Sequence, residues 1–362
     1  MTEIDYQRVR NAVINLGSRV AELAGQPLDP NAIYNLGECG QVKGFQLIQD
    51  AQYYYQLSGG VVRPQLAALV FDITGNYKAL DFYFPIVNSL KYDDIYRNDF
   101  YHAIAFIAGH PNLDLHVYAE HKRDVTAVTP PAVRHMIAGH LAEVFYYRRD
   151  IIERFLATPR HFSIYVNHAA FEQDGGLAGG DYNFGREAIE LEMSRLFEGY
   201  NGQNPGVAPF LHELGHMLDH FDGGSGRMGQ CEGMLPGMSP NDGPIFSPQA
   251  RQNFIQGKRM EKERYQAYQD GRAASNDPVP VGHPYVFQTD GEFIAGYLEM
   301  FFRNPNYFAS QNPVLYGGFA ELLHQDPRRY WPEDFPGYVG ENRKAYLNGQ
   351  RPTPQNISIP YQ

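Results

Sequence analysis

Two histidines one helical turn apart, His212 and His216, with Glu213 directly after the first, constrain this chain more than any other feature. At about 100° per residue, setting His212 at zero puts His216 near 40° and Asp219 near −20°. Phe210, Leu211, Leu214, Met217, Leu218 and Phe221 all fall in the sector from roughly 140° to 260°. The helix therefore has one face that must be buried and another that gathers two imidazoles and a carboxylate. Pro209 suits its first turn, and Gly223 with Gly224 suits its end. A chain carrying such a helix has to build an apolar layer on one side of it and leave a polar space on the other.

The spacing of the two histidines brings two ring nitrogens to one metal ion, as zinc in an HExxH pattern requires. With 13 histidines in 362 residues, chance produces roughly 0.03 such patterns in a chain of this size. Glu213 sits about 100° round the helix, beside the ion, where a general base takes a proton from an activated water. One Zn²⁺ per chain is the cofactor these residues predict. A catalytic zinc needs a third protein ligand and an open position. Asp222 lies ten residues after His212, but the turn that such a ligand needs is not supported, because position 219 is Asp219 and not glycine. His220 would crowd a third ligand onto one helix.

A second helix, expected at 290–303, is the better source. Glu292 and Glu299 share one face with Ala295 and Gly296, and Phe293, Ile294, Tyr297, Leu298 and Phe301 form the opposite face. Spacing alone leaves both glutamates open as the third ligand. Thr289 and Glu292 also match a capping box, in which Glu292 would merely hold the helix start. Gly215, Ala295 and Gly296 are small enough to let the two helices approach. Asp219 is the candidate to orient an imidazole from behind.

Lys plus Arg number 30 against 41 Asp plus Glu, a net charge of −11. That balance argues against nucleic acid or an anionic membrane surface as a partner. Only Cys39 and Cys231 are present, too few for a disulfide framework or a four-thiolate metal site. The polar start, no secretory pattern and no long apolar run predict a cytoplasmic protein. With 26 Tyr and 23 Phe against one Trp, the core should be aromatic.

Residues 1–155 read as a mainly helical N-terminal region. The periodic set Tyr6, Val9, Val13, Leu16, Val20 and Leu23 marks a helix, and 99–108 and 132–156 look helical too. Residues 156–345 read as the catalytic domain. His161 to Asn167 has the content of a strand, and 188–196 fits strand or helix equally. The stretch 223–248 is a Gly/Pro/Met-rich loop, 249–270 a charged helix, and 346–362 an extended tail.

The HELGHMLD run from His212 to Asp219, the GEFIAGYLEMFF run from Gly291 to Phe302, Pro305, the PVLY run from Pro313 to Tyr316 and the QDP run from Gln325 to Pro327 closely resemble the Mlc titration factor A family of zinc peptidases. That family is similar in its active site to the lethal-factor-type gluzincins. The resemblance covers about 205–330. It implies that His212, His216 and Glu292 are the ligands, which places Glu292 above Glu299 as the third; Glu299 is then, with Asp219, a candidate to support the ligands from behind. It also implies that a tyrosine seven residues before the third ligand, here Tyr285, assists catalysis.

The expected fold is α+β and zincin-like, with a small twisted sheet and the HExxH helix packed below it. The expected activity is hydrolysis of peptide or protein substrates, with Glu213 as base and Tyr285 stabilising the oxyanion. Whether chain ends are trimmed or chains are cut internally is left open. The segment 182–196 is the candidate rim of a substrate cleft, with Arg186 in it. The rival reading, carried by the family resemblance, is a regulatory protein that sequesters a transcriptional repressor. The complete set of His212, Glu213, His216 and Glu292 speaks against it, because a binding module needs no general base.

Overall fold

A computed structural model describes residues 94–129, 131–176, 179–199, 207–223, 247–274, 276–331 and 334–347, with scattered positions between 31 and 89. The helix expected over Tyr6 to Leu23, both cysteines, most of the 223–248 loop and the tail beyond 347 lie outside the described residues. So do the side chains of His220, Phe221 and Asp222. The chain divides into two compact units. Architecture is α+β: many helices with one mixed five-stranded sheet and a small separate hairpin. Among the described residues no helix is long and apolar enough to cross a membrane.

The first unit comprises Met1–Glu143, Pro159–Asp181 and Glu190–Phe197. Strands β1 (Ile33–Asn35) and β2 (Gln41–Lys43) pair antiparallel. Helix α1 (Asp94–Gly109) leads into β3 (Leu113–Ala119), and β4 (Arg123–Asp124) turns back against it. Helix α2 (Pro131–Phe145) follows, and β5 (Arg160–Tyr165) runs parallel to β3 with Leu115 opposite Phe162. Strands β6 (Gly180–Asn183) and β7 (Ala188–Glu192) complete the sheet in the order β4-β3-β5-β7-β6, leaving β6 on an edge.

The strand at 113–119 was not foreseen within a region expected to be mainly helical, and helix still exceeds strand among its described residues. Leu113, Leu115, Val117 and Ala119 are buried while Asp114, His116 and Tyr118 between them are not. That is the two-residue period of a half-buried strand. The strand at His161 is present one residue earlier than expected. The ambiguous stretch from Ala188 is both things in turn: strand to Glu192, then a short helix Met193–Leu196.

The second unit comprises Val144–Thr158, Tyr182–Ile189 and Glu198–Gln362. Its helices are α3 (Arg149–Phe155), α5 (Pro209–Gly223), α6 (Pro248–Gln269), α7 (Asp290–Arg303), α8 (Pro305–Gln311), α9 (Pro313–Leu323) and α10 (Pro336–Leu347); α4 (His168–Gln173) belongs to the first unit. Five of the seven open on proline, whose missing N–H costs nothing in a first turn. The core is aromatic: Phe293 stacks on Tyr297 at 4.2 Å between centroids, Tyr265 on Phe287 at 4.1 Å, and Phe301 on Phe319 at 5.7 Å.

Helices α5 and α7 nearly touch at Gly215. A Cβ there would lie 2.5 Å from the Ala295 Cα, so only glycine permits the approach. Gly296 does not serve the same contact, as spacing had implied. Its missing Cβ makes room for Val286, whose Cγ1 would stand 2.3 Å away. Gly215→Ala must push the backbones of α5 and α7 apart, and overpacking of this kind costs about 1–3 kcal/mol. Urea unfolding is expected to show the midpoint lowered accordingly; an unchanged midpoint contradicts the close approach.

Candidate metal centre

Helix α5 buries Phe210, Leu211, Leu214, Met217 and Leu218 almost completely, as its face pattern requires. The opposite face holds His212, with a side chain 14% exposed, and His216, at 10%. Their ring centroids are 5.0 Å apart. Glu213 and Asp219 are buried on the same helix. Burial of Asp219 removes its reading as a surface carboxylate near a helix end.

Helix α7 begins at a cap in which the Thr289 hydroxyl accepts the Glu292 N–H at 3.1 Å. The Glu292 carboxylate does not remain at this cap. Its Oε2 lies 3.0 Å from His212 Nε2 and 3.5 Å from His216 Nε2. The Tyr285 hydroxyl donates to its Oε1 at 3.1 Å. Glu299, one face-repeat along α7, stands behind the site: its Oε2 is 3.4 Å from His212 Nδ1, and its Oε1 accepts the Ala208 N–H at 2.5 Å. Glu292 therefore faces both imidazoles, and Glu299 backs one of them.

Tyr285 sits on a 3₁₀ turn, Pro284–Phe287, where the His283 ring accepts the Tyr285 N–H at 3.2 Å. Its own ring lies 6.3 Å from that of His212 and is 47% exposed. Phe184, in the short connection between β6 and β7, approaches the other imidazole, with its centroid 6.4 Å from His216.

Glu261 and Lys258 escaped the reading of α6 as merely charged; neither exposes any surface. Glu261 accepts from Tyr297 Oη at 2.5 Å, the Val281 N–H at 2.7 Å, Asn312 Nδ2 at 2.9 Å and Arg264 Nη1 at 2.8 Å. Lys258 pairs with Asp290, at the first turn of α7, at 3.0 Å. The signal was present: Ala250, Phe254, Gly257, Lys258, Glu261 and Tyr265 form one buried stripe at helical spacing.

The donor geometry fits one small divalent cation. Ligands at about 2.0–2.1 Å from a tetrahedral ion lie about 3.3 Å from one another, close to the 3.0 and 3.5 Å separations of Glu292 Oε2 from the two Nε2 atoms. All three ligand atoms fall within 4.8 Å of one another, and no other described group of His, Cys, Asp or Glu does so. The electrostatics point the same way. His212 has a carboxylate at each ring nitrogen, and a neutral imidazole has only one N–H to offer. A proton or a cation is needed on the Nε2 side. Burial alone would lower the His212 pKa, but hydrogen bonds to Glu292 and Glu299, with the charge of Glu213, hold it well above its ordinary value. Burial would raise the Glu292 pKa, yet its bonds to His212 and His216 pull it well below the usual carboxylate range.

No protein-family model matches the chain, and no curated protein matches it either.

The signs of these two shifts set a pH window for chelator-treated protein. The Glu292 contribution to stability is complete above its unfolded pKa near 4.3 and is lost as pH falls through its lowered folded value. The His212 contribution is complete below about 6.5 and is lost as pH rises through its raised folded value. Glu292→Gln is thus expected to lower the chelated protein's Tm most between about pH 5 and 6. The gap should narrow well above that range. A gap independent of pH contradicts the pairing.

Proposed function

We propose that this protein is a zinc-dependent peptidase with a gluzincin-type centre on a zincin-like domain, one Zn²⁺ per chain, working on peptides or proteins in the cytoplasm. The observation that carries the reading is the convergence of His212 Nε2, His216 Nε2 and Glu292 Oε2, with a general-base candidate, Glu213, adjoining. The resemblance of its motifs to those of the Mlc titration factor A family supports it. Open coordination supports catalysis over a structural role, since three protein ligands leave a tetrahedral ion one position short. An acidic chain with two cysteines and no described membrane-length helix suits the cytoplasmic setting.

When bound, zinc supplies a Lewis acid that polarises the scissile carbonyl and brings the pKa of water toward about 7. The residues of this chain do the rest. Glu213 takes a proton from the attacking water as its oxygen bonds to the carbonyl carbon. The same carboxyl then gives that proton to the amide nitrogen as the C–N bond breaks, releasing an acid and an amine. The exposed Tyr285 hydroxyl exchanges its bond to Glu292 for one to the carbonyl oxygen as negative charge builds there. Glu299 accepts from His212 Nδ1, which fixes the ring tautomer with Nε2 turned to the ion. The charge of Glu292 offsets part of the cation's own, and Gly215 keeps the two ligand-bearing helices close enough to share it.

Zinc-loaded wild type is expected to cleave quenched-fluorescent peptides and to lose that activity with a chelator. Glu213→Gln should retain zinc and lose about 10²–10⁴ in kcat. Tyr285→Phe should lose about 10²–10³ in kcat with zinc retained. Full turnover in Glu213→Gln removes the base, and unchanged turnover in Tyr285→Phe removes the oxyanion donor.

A further inference from the structure

We propose that Phe184 forms a wall of the subsite that receives a side chain flanking the scissile bond, so that the substrates are peptides with a large apolar residue at that position. This rests on the peptidase reading and adds the substrate class to it. Large hydrophobic residues that reach solvent are few among the described residues, and two of them, Phe184 and Tyr285, each approach a different imidazole of the same centre. Tyr285 brings a hydroxyl, which the chemistry uses. Phe184 brings only a ring, 38% exposed, which the chemistry does not use.

The ring is held in place. Tyr182, itself buried, meets it edge-on at 5.0 Å and 80°. The Asn183 side chain accepts from the N–H groups of both Gly185 and Arg186 at 3.1 Å, which fixes the turn that carries Phe184. It also meets His216, at 6.4 Å between centroids and 67° between planes. Consecutive Cα atoms are about 3.8 Å apart, so the residues either side of a scissile carbonyl held at this centre project side chains within a few ångströms of the imidazoles. Phe184 borders that space with a preorganised apolar surface, where an aromatic or bulky aliphatic side chain loses water on both partners. The ring directly follows β6, one of the two edge strands of the sheet.

The test uses zinc-loaded full-length protein and quenched peptides in which each of the two residues flanking the cleaved bond is varied among Phe, Leu, Ala and Asp. Wild type is expected to prefer Phe or Leu over Ala by about tenfold or more in kcat/KM at one of the two positions. Phe184→Ala should collapse that ratio, mainly through KM, and Phe184→Leu should restore part of it. Wild-type preference left intact in Phe184→Ala overturns the proposal. Equal slowing of every peptide together with reduced zinc content overturns it too, because the ring is then only a cover for His216. Absence of cleavage of any peptide by the zinc-loaded wild type defeats the peptidase reading itself, and this inference with it.

Discussion

Carboxylates crowd one imidazole here, and the rest of the structure is arranged to sustain that crowding. Glu292 stands at one ring nitrogen of His212 and Glu299 at the other, and the charge of Glu213 also reaches the ring. Acidic groups brought together with little solvent between them repel unless positive charge intervenes. A protonated imidazole supplies one unit of it, and a divalent ion supplies two. The donor set suits a cation, and the separations of Glu292 Oε2 from the two Nε2 atoms are close to those of ligands on a small tetrahedral ion.

Holding those groups together is a packing problem before it is a chemical one. Helices α5 and α7 close to backbone contact at Gly215 and Ala295, which sets the distance between the histidine pair and the glutamates. The turn bearing Tyr285 is fixed from a different direction. Gly296 admits Val286, and Tyr297 accepts the Gly282 N–H at 3.0 Å while donating to Glu261. Glu261 in turn binds the Val281 N–H and Asn312, which caps α9. A buried carboxylate with four donors is well satisfied, and removing any one donor leaves the charge partly unmet. The position of a catalytic hydroxyl candidate is thereby tied to a helix, α6, that supplies none of the three candidate ligands.

Much of the site was legible because it lies on two amphipathic helices with strong periodicity. His212, His216 and Glu292 could be placed on facing surfaces from angular arithmetic, and the apolar backs of both helices are buried as that arithmetic requires. The choice between Glu292 and Glu299 was not decidable from spacing. In three dimensions both reach His212, one at each nitrogen, so the two readings are complementary. Strand β3 was missed because its alternation is carried by Asp114, His116 and Tyr118 within a region otherwise rich in helical periods. Lys258 and Glu261 were hidden by their own charge, since a charged helix reads as solvated until its buried stripe is traced. Phe184 lies within the 182–196 segment expected at the rim of a cleft, but nothing in the sequence singled it out there, because one aromatic residue between Asn183 and Gly185 looks like any other.

The central claim is that a single divalent ion is shared by the two imidazoles and the Glu292 carboxylate. Metal analysis of protein purified without chelators tests it most directly, with His216→Ala and Glu292→Ala variants prepared alongside. About one zinc per chain in the wild type, falling to near zero in both variants while each remains folded, is the predicted result. A wild type without stoichiometric metal that also fails to take up added zinc, or full zinc content in both variants, contradicts the account.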